Sequence, residues 1–401
     1  MLELEDALQK ILASLPPPVS ERVPLPEAAQ RVLMTKMVSP IDLPPFDNSA
    51  MDGYAVRVAD VSGASAATPV TLRLRGRIPA GESFSGEVAA GECVRLFTGS
   101  PLPRGADAVV MQEDTCLESA QPAQVSFLDQ ALAGENIRRR GEDLARGAAL
   151  AEAGDVLSPG RISLLAATGI GEVSVGRRPT VGLLATGSEL CEAGTPLTPG
   201  RIYESNRAAL APLVHGAGGV PKIFPLVPDT LAATEAALER AFAECDVVIT
   251  SGGVSVGEMD FVKQAFEKLG GELQFWKVAM RPGRPFVFGR RGEKFLFGLP
   301  GNPVSAYVTF LLLARPALRR WQGAAELSLP AHPGELAEPL ANPGDRRHFL
   351  RVRVDAAGKV FSAGRQASHA LASLASANGL VDLPPGKTFP AGSQVTVLRW
   401  D

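Results

Sequence analysis

Between residues 178 and 323 short apolar runs alternate with amphipathic stretches, and no other feature restricts the fold as tightly. "TVGLLAT" is a continuous apolar strand, and "NRAALAPLVHGAGG" reads as a helix that stops at glycines. "VPKIFPLV" is the next strand, "TLAATEAALERAFAEC" the next helix, and "DVVIT" a third strand. "MDFVKQAFEKLG" and "ELQFWKVAM" continue as helix and strand, "PFVFGR" and "EKFLFGLP" as a hairpin, and "NPVSAYVTFLLLARPALRRW" as the closing helix. This order predicts a central three-layer α/β/α domain, 178–326, around a mostly parallel sheet. Ligands of such sheets sit in the loops at the strand C-termini.

At 401 residues the chain exceeds what one hydrophobic core spans, and its flanks read differently from its centre. Residues 1–177 are expected to form an N-terminal helical domain. Its opening helix, "LEDALQKIL", puts Leu4, Leu8, Ile11 and Leu12 on one face. "SLPPPVS" breaks that helix, and "PLPEAAQRVLM" predicts a second one. Short strands between glycine turns ("VTLRLRGRI", "ECVRLF", "ADAVVMQ", "AQVSFL") suggest a β-domain inserted at about 55–145. "SPGRISLLAATG" then reads as a helix, with Ser158 as N-cap and Pro159 at its first position. Residues 327–401 carry only strand-like segments and turns, which predicts a small C-terminal β-barrel.

Composition narrows the function classes. A net charge of −3 supplies no global field for nucleic acid, so any anion must be held by a local cluster. The acidic start "MLELEDALQK" is unlike a signal peptide, and the apolar run "VTFLLLA" is too short to span a bilayer. Neither a membrane nor nucleic acid is expected as a partner, and a cytoplasmic address follows. Cys93, Cys116, Cys191 and Cys245 are scattered without a C-x-x-C pattern, which indicates neither zinc nor disulfides.

Three loops carry chemistry. "TGSE" (Thr186, Gly187, Ser188, Glu189) and "TSGGVSVGEMD" (Thr250 to Asp260, with Ser251, Gly252, Gly253 and Ser255) each leave a strand through glycines and hydroxyls followed by carboxylates. Glycines and hydroxyls supply donors to phosphate, whereas carboxylates repel it. The two coexist when a divalent cation lies between them. "GLPGNPVSA" places Asn302 as N-cap and Pro303 at the first position of a helix. Any one of these loops is also explained as a plain turn; three at one sheet edge favour a site. "WKVAMRPGRPF" adds Lys277, Arg281 and Arg284 around a stiffened turn. "ENIRRRGEDLARG" (Arg138, Arg139, Arg140) reads as a surface cluster paired with Glu142 and Asp143.

"PPFDNSAMDGYAVR", "IRRRGED", "ATGSEL", "TSGGVSVGEMD", "MRPGRPF" and "GLPGNPVSA" occur in an order that resembles the bacterial molybdopterin molybdenumtransferase family, which includes the E domain of gephyrin. The resemblance covers essentially the whole chain. It implies insertion of molybdate into adenylylated molybdopterin with release of AMP, dependence on Mg²⁺, and a homodimer whose sites use both chains. On the family's pattern Asp52, Thr98 and Asp143 match functional positions in the N-terminal part. Glu189, Asp229, Asp260, Lys277, Pro300 and Pro303 match positions in the central domain, with Glu189, Asp229 and Asp260 as the expected metal ligands. Arg281 stands where some members have lysine, exchanging a point donor for a planar fork. "GDRRHFLR" and "RQASH" suggest Arg346 or Arg347, with Ser368, as further substrate contacts. The glycines Gly187, Gly252, Gly253 and Gly301, with Thr186, Ser188, Ser251, Ser255 and Asn302, are the expected contacts to pterin or phosphate. The adenylyltransferase and apo-molybdoenzymes are the protein partners such an enzyme would meet.

Two readings compete. Molybdopterin adenylyltransferases share the central fold but lack the flanking domains, and a gephyrin-like scaffold would need a fused second module. Tungstate matches molybdate in charge and nearly in size, and the sequence does not separate them.

Overall fold

The computed structural model describes residues 1–79, 81–117, 123–254 and 261–400. The chain divides into two compact units: Met1–Thr35 with Ala153–Ser158 and Glu172–Asp401, and Lys36–Glu152 with Pro159–Gly171.

In the first unit six strands form one sheet, in the order Val220–Ile223, Thr180–Ala185, Val247–Ser251, Lys294–Leu299, Val287–Arg291, Glu272–Trp276. The first four are mutually parallel and the last two run as antiparallel additions. Helices Asn206–Gly216, Leu231–Glu244, Val262–Lys268 and Pro303–Thr309 fill the predicted places between and after the strands. Val181, Leu183, Val247, Ile249, Phe295 and Phe297 face one core, while Leu184, Val248 and Leu296 face another. That alternation explains why these strands are apolar on both faces. The closing helix passes through a wide turn at Phe310–Ala314 before Pro316. Proline has no N–H to donate back into the preceding turn, and the wide turn takes up that irregularity.

The opening helix, Leu4–Ser14, buries Leu4, Ala7 and Ile11 in the sheet's core against residues that include Val278, Leu318 and Trp321. The helix expected at "PLPEAAQRVLM" does not form. Only a single turn, Leu25–Glu27, is helical, after which Val32 bridges Val156 and Leu33 bridges Val175. Pro24 and Pro26 remove backbone donors, and ladder partners replace the helical ones.

The C-terminal strands Arg347–Val354, Lys359–Ser362, Ala331–Leu336, Gln394–Arg399 and Gly379–Leu383 close into a five-stranded barrel. Its strand Arg347–Val354 is extended on one side by Met280–Arg281 of the sheet domain, paired in parallel with Arg281 opposite His348.

The second unit holds a six-stranded sheet, in the order Ala108–Met111, Gly53–Val56, Glu92–Leu96, Ser65–Ile78, Gln124–Asp129, Thr115–Leu117. The helix Pro159–Ala167 forms as predicted and belongs to this unit.

Candidate active site

Ala185 is in register with Ser251, and Ser251 with Leu299, so three strands end side by side. Their exits are stitched together: Thr186 N–H donates to Ser251 O at 3.1 Å, and Gly252 N–H to Leu299 O at 3.1 Å. Gly252 and Gly253 have φ of +89° and +67°. A Cβ on Gly252 would lie 2.6 Å from the Thr186 carbonyl oxygen, and one on Gly253 2.8 Å from its hydroxyl. What the double glycine approaches within this chain is therefore the neighbouring strand exit. The hydroxyls of Thr186, Thr250 and Ser251 are buried without a hydrogen-bond partner among the described residues. Thr186 and Ser251 also line the cleft, so unused donor capacity collects at its floor.

The cleft has a volume of about 630 Å³ and is lined by Thr186, Gly187, Glu189, Asp229, Ser251, Gly252, Gly253, Pro300, Gly301, Asn302 and Pro303 among others. Asn206, at the start of its helix, donates its amide to Gly301 O at 2.8 Å and fixes the third loop. Asn302 occupies the N-cap position with no side-chain capping bond, so its amide is not used by the helix. Ser188 N–H donates to Asp229 Oδ2 at 2.8 Å, and Asp229 N–H donates to Ser188 Oγ at 2.9 Å. Thr230, not Asp229, caps the following helix, accepting from Ala233 N–H. The Glu189 carboxylate lies over Gly187, where an added Cβ would come within 2.7 Å of Oε2. Glu204 also lines the cleft, but it is bound to buried Arg207 at 2.9 Å. Among the described residues no group of three His, Cys, Asp or Glu side chains is placed to hold a metal. Ser255 and Asp260, the latter the third expected ligand, lie outside the described residues. Glu189 and Asp229 are hard oxygen donors at one cleft and fit a magnesium ion chemically.

A hollow of about 440 Å³ shares Pro285, Pro300, Asn302 and His369 with the cleft. Arg281, Arg284, Arg346, Ser305 and Ser368 line it. Backbone pairing with the barrel carries Arg281 there, and Arg346 donates to Met280 O at 3.3 Å. Arg351, fully buried, donates to Arg365 O at 2.7 Å and Ala367 O at 3.2 Å. Gln366 accepts from Arg351 N–H and donates to Arg351 O, so the loop bearing Ser368 and His369 is pinned to the barrel. His348 records the local field. Burial, and then the positive charges of Arg281, Arg351 and Arg346, push its imidazolium down to about 4, which keeps the ring neutral at pH 7.

Arg346 and Arg347 have different surroundings. Arg347 is tied to Glu5 at 2.6 Å and to Asp382, whereas Arg346 lines the hollow. Lys277, with φ of +73°, holds its ammonium 3.6 Å from the Trp276 ring centre and is not among the lining residues of either cavity. His369, Ser305 and Asn206 were not singled out from the sequence. Only the position of "RQASH" beside a suspected contact pointed toward His369.

In the second unit Asp52 Oδ1 accepts from both Thr98 N–H and Thr98 Oγ1, each at 2.8 Å. Those two bonds, with a contribution from the Arg95 charge, hold its carboxyl below the ordinary aspartate value. Asp143 is exposed, and its N–H donates to Leu43 O. The arginine cluster is paired, but with other acids than expected: Arg139 meets Asp47 at 2.8 Å and Arg140 meets Asp42 at 2.6 Å. The aspartate in "PPFDN" therefore anchors this segment to "IRRRGED". Close sequence neighbours such as Glu142 serve the backbone instead, accepting from Arg139 N–H at 2.7 Å.

Known proteins resemble this chain over nearly its whole length. Family profiles match "MoeA N-terminal region (domain I and II)" over residues 2–169, "Probable molybdopterin binding domain" over 182–320 and "MoeA C-terminal region (domain IV)" over 333–400. The chain is 39% identical to a molybdopterin molybdenumtransferase of Haemophilus influenzae, over 99% of this chain and 98% of the other. It is 42% identical to molybdopterin molybdenumtransferase 2 of Mycobacterium tuberculosis, over 94% of each. The crystal structure of a molybdopterin biosynthesis moeA protein from Pyrococcus horikoshii superimposes with a TM-score of 0.81 at 31% identity, covering all of both chains. No helix of the described residues is long and apolar enough to cross a membrane. The chain belongs to the molybdopterin molybdenumtransferase family, enzymes of molybdenum cofactor biosynthesis.

Proposed function

We propose that the enzyme inserts molybdate into adenylylated molybdopterin and releases AMP. The observation that carries this reading is the adjacency of two cavities with opposite polarity. One offers close backbone approach at its glycines, spare hydroxyls and two carboxylates; the other offers Arg281, Arg284 and Arg346 beside Ser305 and Ser368. A doubly charged oxyanion suits the second cavity. The pterin phosphate suits the first, whose lining includes Ser251, Gly253 and Asn302. Glu189 and Asp229 would hold Mg²⁺, which when bound neutralises charge on the phosphoanhydride and its leaving AMP. Without that cation the same carboxylates oppose an anionic substrate by Coulomb repulsion. Pro300 stiffens the wall common to both cavities and Pro303 the cleft side alone, and Arg281 and Arg346 orient the oxyanion toward that wall. The active species is proposed to be a cytoplasmic homodimer. It would receive its substrate from the adenylyltransferase and deliver product to apo-molybdoenzymes.

The deciding experiment supplies purified protein with adenylylated molybdopterin and either molybdate or tungstate, and follows AMP release against Mg²⁺ concentration. AMP release that needs oxyanion and Mg²⁺ supports the proposal. Cofactor formation from molybdopterin lacking the adenylyl group, without AMP, would overturn it.

A further inference from the structure

Trp276 ties together separate parts of the sheet domain. Its indole Nε1–H donates to Val254 O at 3.2 Å, and Val254, itself buried, lines the cleft just past the double glycine. Trp276 pairs with Val287, and the residues that follow close a turn beyond that pair. Lys277 N–H donates to Phe286 O at 3.0 Å, and Val278 N–H to Arg284 O at 3.1 Å. The turn carries Arg281, Arg284 and Pro285, which line the neighbouring hollow. One side chain therefore fastens a strand exit of the cleft to the base of the arginine turn.

The same ring holds two cations. Lys277 Nζ lies 3.6 Å from its centre, and so does Nζ of Lys263, which comes from the helix Val262–Lys268. A single lysine over an indole is ordinary packing, stabilised by the negative face of the ring. Two on one ring also repel each other, since their nitrogens are no further apart than twice the distance to the centre. Neither ammonium meets a carboxylate among the described residues, whereas Lys268 on the same helix meets Glu235 at 2.7 Å. Lys277 reaches its place through a φ of +73°, a strained backbone for a residue with a side chain, and strain of this kind clusters where function requires it. An anion between the two ammonium groups would offset their repulsion and supply the counter-charge. A phosphate group suits the span, because its oxygens can accept from both lysines at once.

We propose that Trp276 is a positioning residue and Lys263 a second anion-binding cation beside Lys277, the three forming a clamp for a phosphate group of the substrate. The sequence singled out Lys277 alone. The inference rests on the function proposed above in taking a phosphate ester as ligand. Its test reads binding without turnover, so either can fail while the other stands.

AMP binding to the full chain is measured by calorimetry at low salt, with adenosine as the probe that lacks phosphate. Lys263→Gln is expected to weaken AMP binding about tenfold, with a melting temperature close to that of the parent. Trp276→Phe keeps a ring under both lysines and loses the N–H, so it should weaken binding less than Trp276→Leu, which removes the ring. Adding Lys263→Gln to Trp276→Leu should weaken binding no further, because the lysine without its ring is already misplaced. Lys268→Gln, which frees Glu235, should bind AMP as the parent does. Should Trp276→Leu not fold, Lys263→Gln and Trp276→Phe still decide. No AMP binding by the parent, adenosine binding as tightly as AMP, or unchanged affinity in Lys263→Gln would overturn the proposal. Fully additive losses in the double variant, or a loss in Trp276→Phe equal to that in Trp276→Leu, would overturn the positioning role of the ring.

Discussion

Ser188 and Asp229 hold each other by two hydrogen bonds that run in opposite directions, 2.8 Å and 2.9 Å long. The pair zips the loop after the first sheet strand to the loop before the helix Leu231–Glu244. It commits Oδ2 of the Asp229 carboxylate to positioning.

Asp229→Asn keeps an oxygen that accepts from Ser188 N–H, so the loop should stay closed while the cleft loses a charge. Cofactor synthesis and its stimulation by Mg²⁺ should disappear, with melting temperature nearly unchanged. Ser188→Ala removes one bond and keeps the charge, and should mainly raise KM. Near-normal turnover and Mg²⁺ response in Asp229→Asn would remove the metal role.

Arg281→Gln and Arg346→Gln should each raise the molybdate concentration for half-saturation about tenfold or more, since a charged hydrogen bond contributes roughly 1.5–3 kcal/mol. Arg347→Gln should instead lower stability by freeing Glu5 and Asp382, with half-saturation intact. A titration of rate against molybdate for the three variants separates the neighbours.

Gly252→Ala puts a methyl group 2.6 Å from a backbone oxygen at positive φ. Strain of about 1–3 kcal/mol is expected, with activity lost at temperatures where the protein is still folded. Denaturant unfolding and turnover, measured side by side, check whether the site fails before the fold does.

Asp246 joins two strand starts, accepting from Arg177 at 2.9 Å and from Thr180 N–H at 2.8 Å. Burial raises its carboxyl value, but Arg177 and the Thr180 N–H outweigh that, and the net direction is downward. Its stabilisation is therefore complete above the ordinary aspartate range and is lost as pH falls through the lowered value. The stability gap between the parent and Asp246→Asn should be constant at pH 6–8 and close below about pH 4. A gap that widens on acidification would contradict the sign.

Inactive Asp52→Ala and Asp229→Ala subunits, mixed and re-associated, should regain part of the activity if the proposed homodimer completes its sites from both chains. Heterodimers that form without recovered activity would argue against shared sites.

Much of this was legible in the sequence because local patterns decide it. Apolar strands such as "TVGLLAT" and "DVVIT" are buried on both faces and end where the glycines begin, so the edge bearing the cleft could be read directly. The helix expected around Glu27 and Ala28 was misread because two prolines and distant bridge partners outweighed a helical pattern. Arg346 and Arg347 are adjacent in sequence, and only the barrel's backbone pairing assigns them different surroundings. The grip of Asp47 on Arg139 joins residues about ninety positions apart, a distance no local pattern reports.

Met280 and Arg281 form the only parallel rung between the sheet domain and the barrel strand that begins at Arg347 among the described residues. The spacing between Arg281 and Arg346 is thus a matter of register, not of side-chain reach. A one-residue shift of this strand against Met280–Arg281 would bring Arg347 or Asp345 to the place of Arg346 and take Arg347 from its two acids. Along this short stretch, insertions and deletions should be tolerated far less well than substitutions, even though much of it lies at the surface.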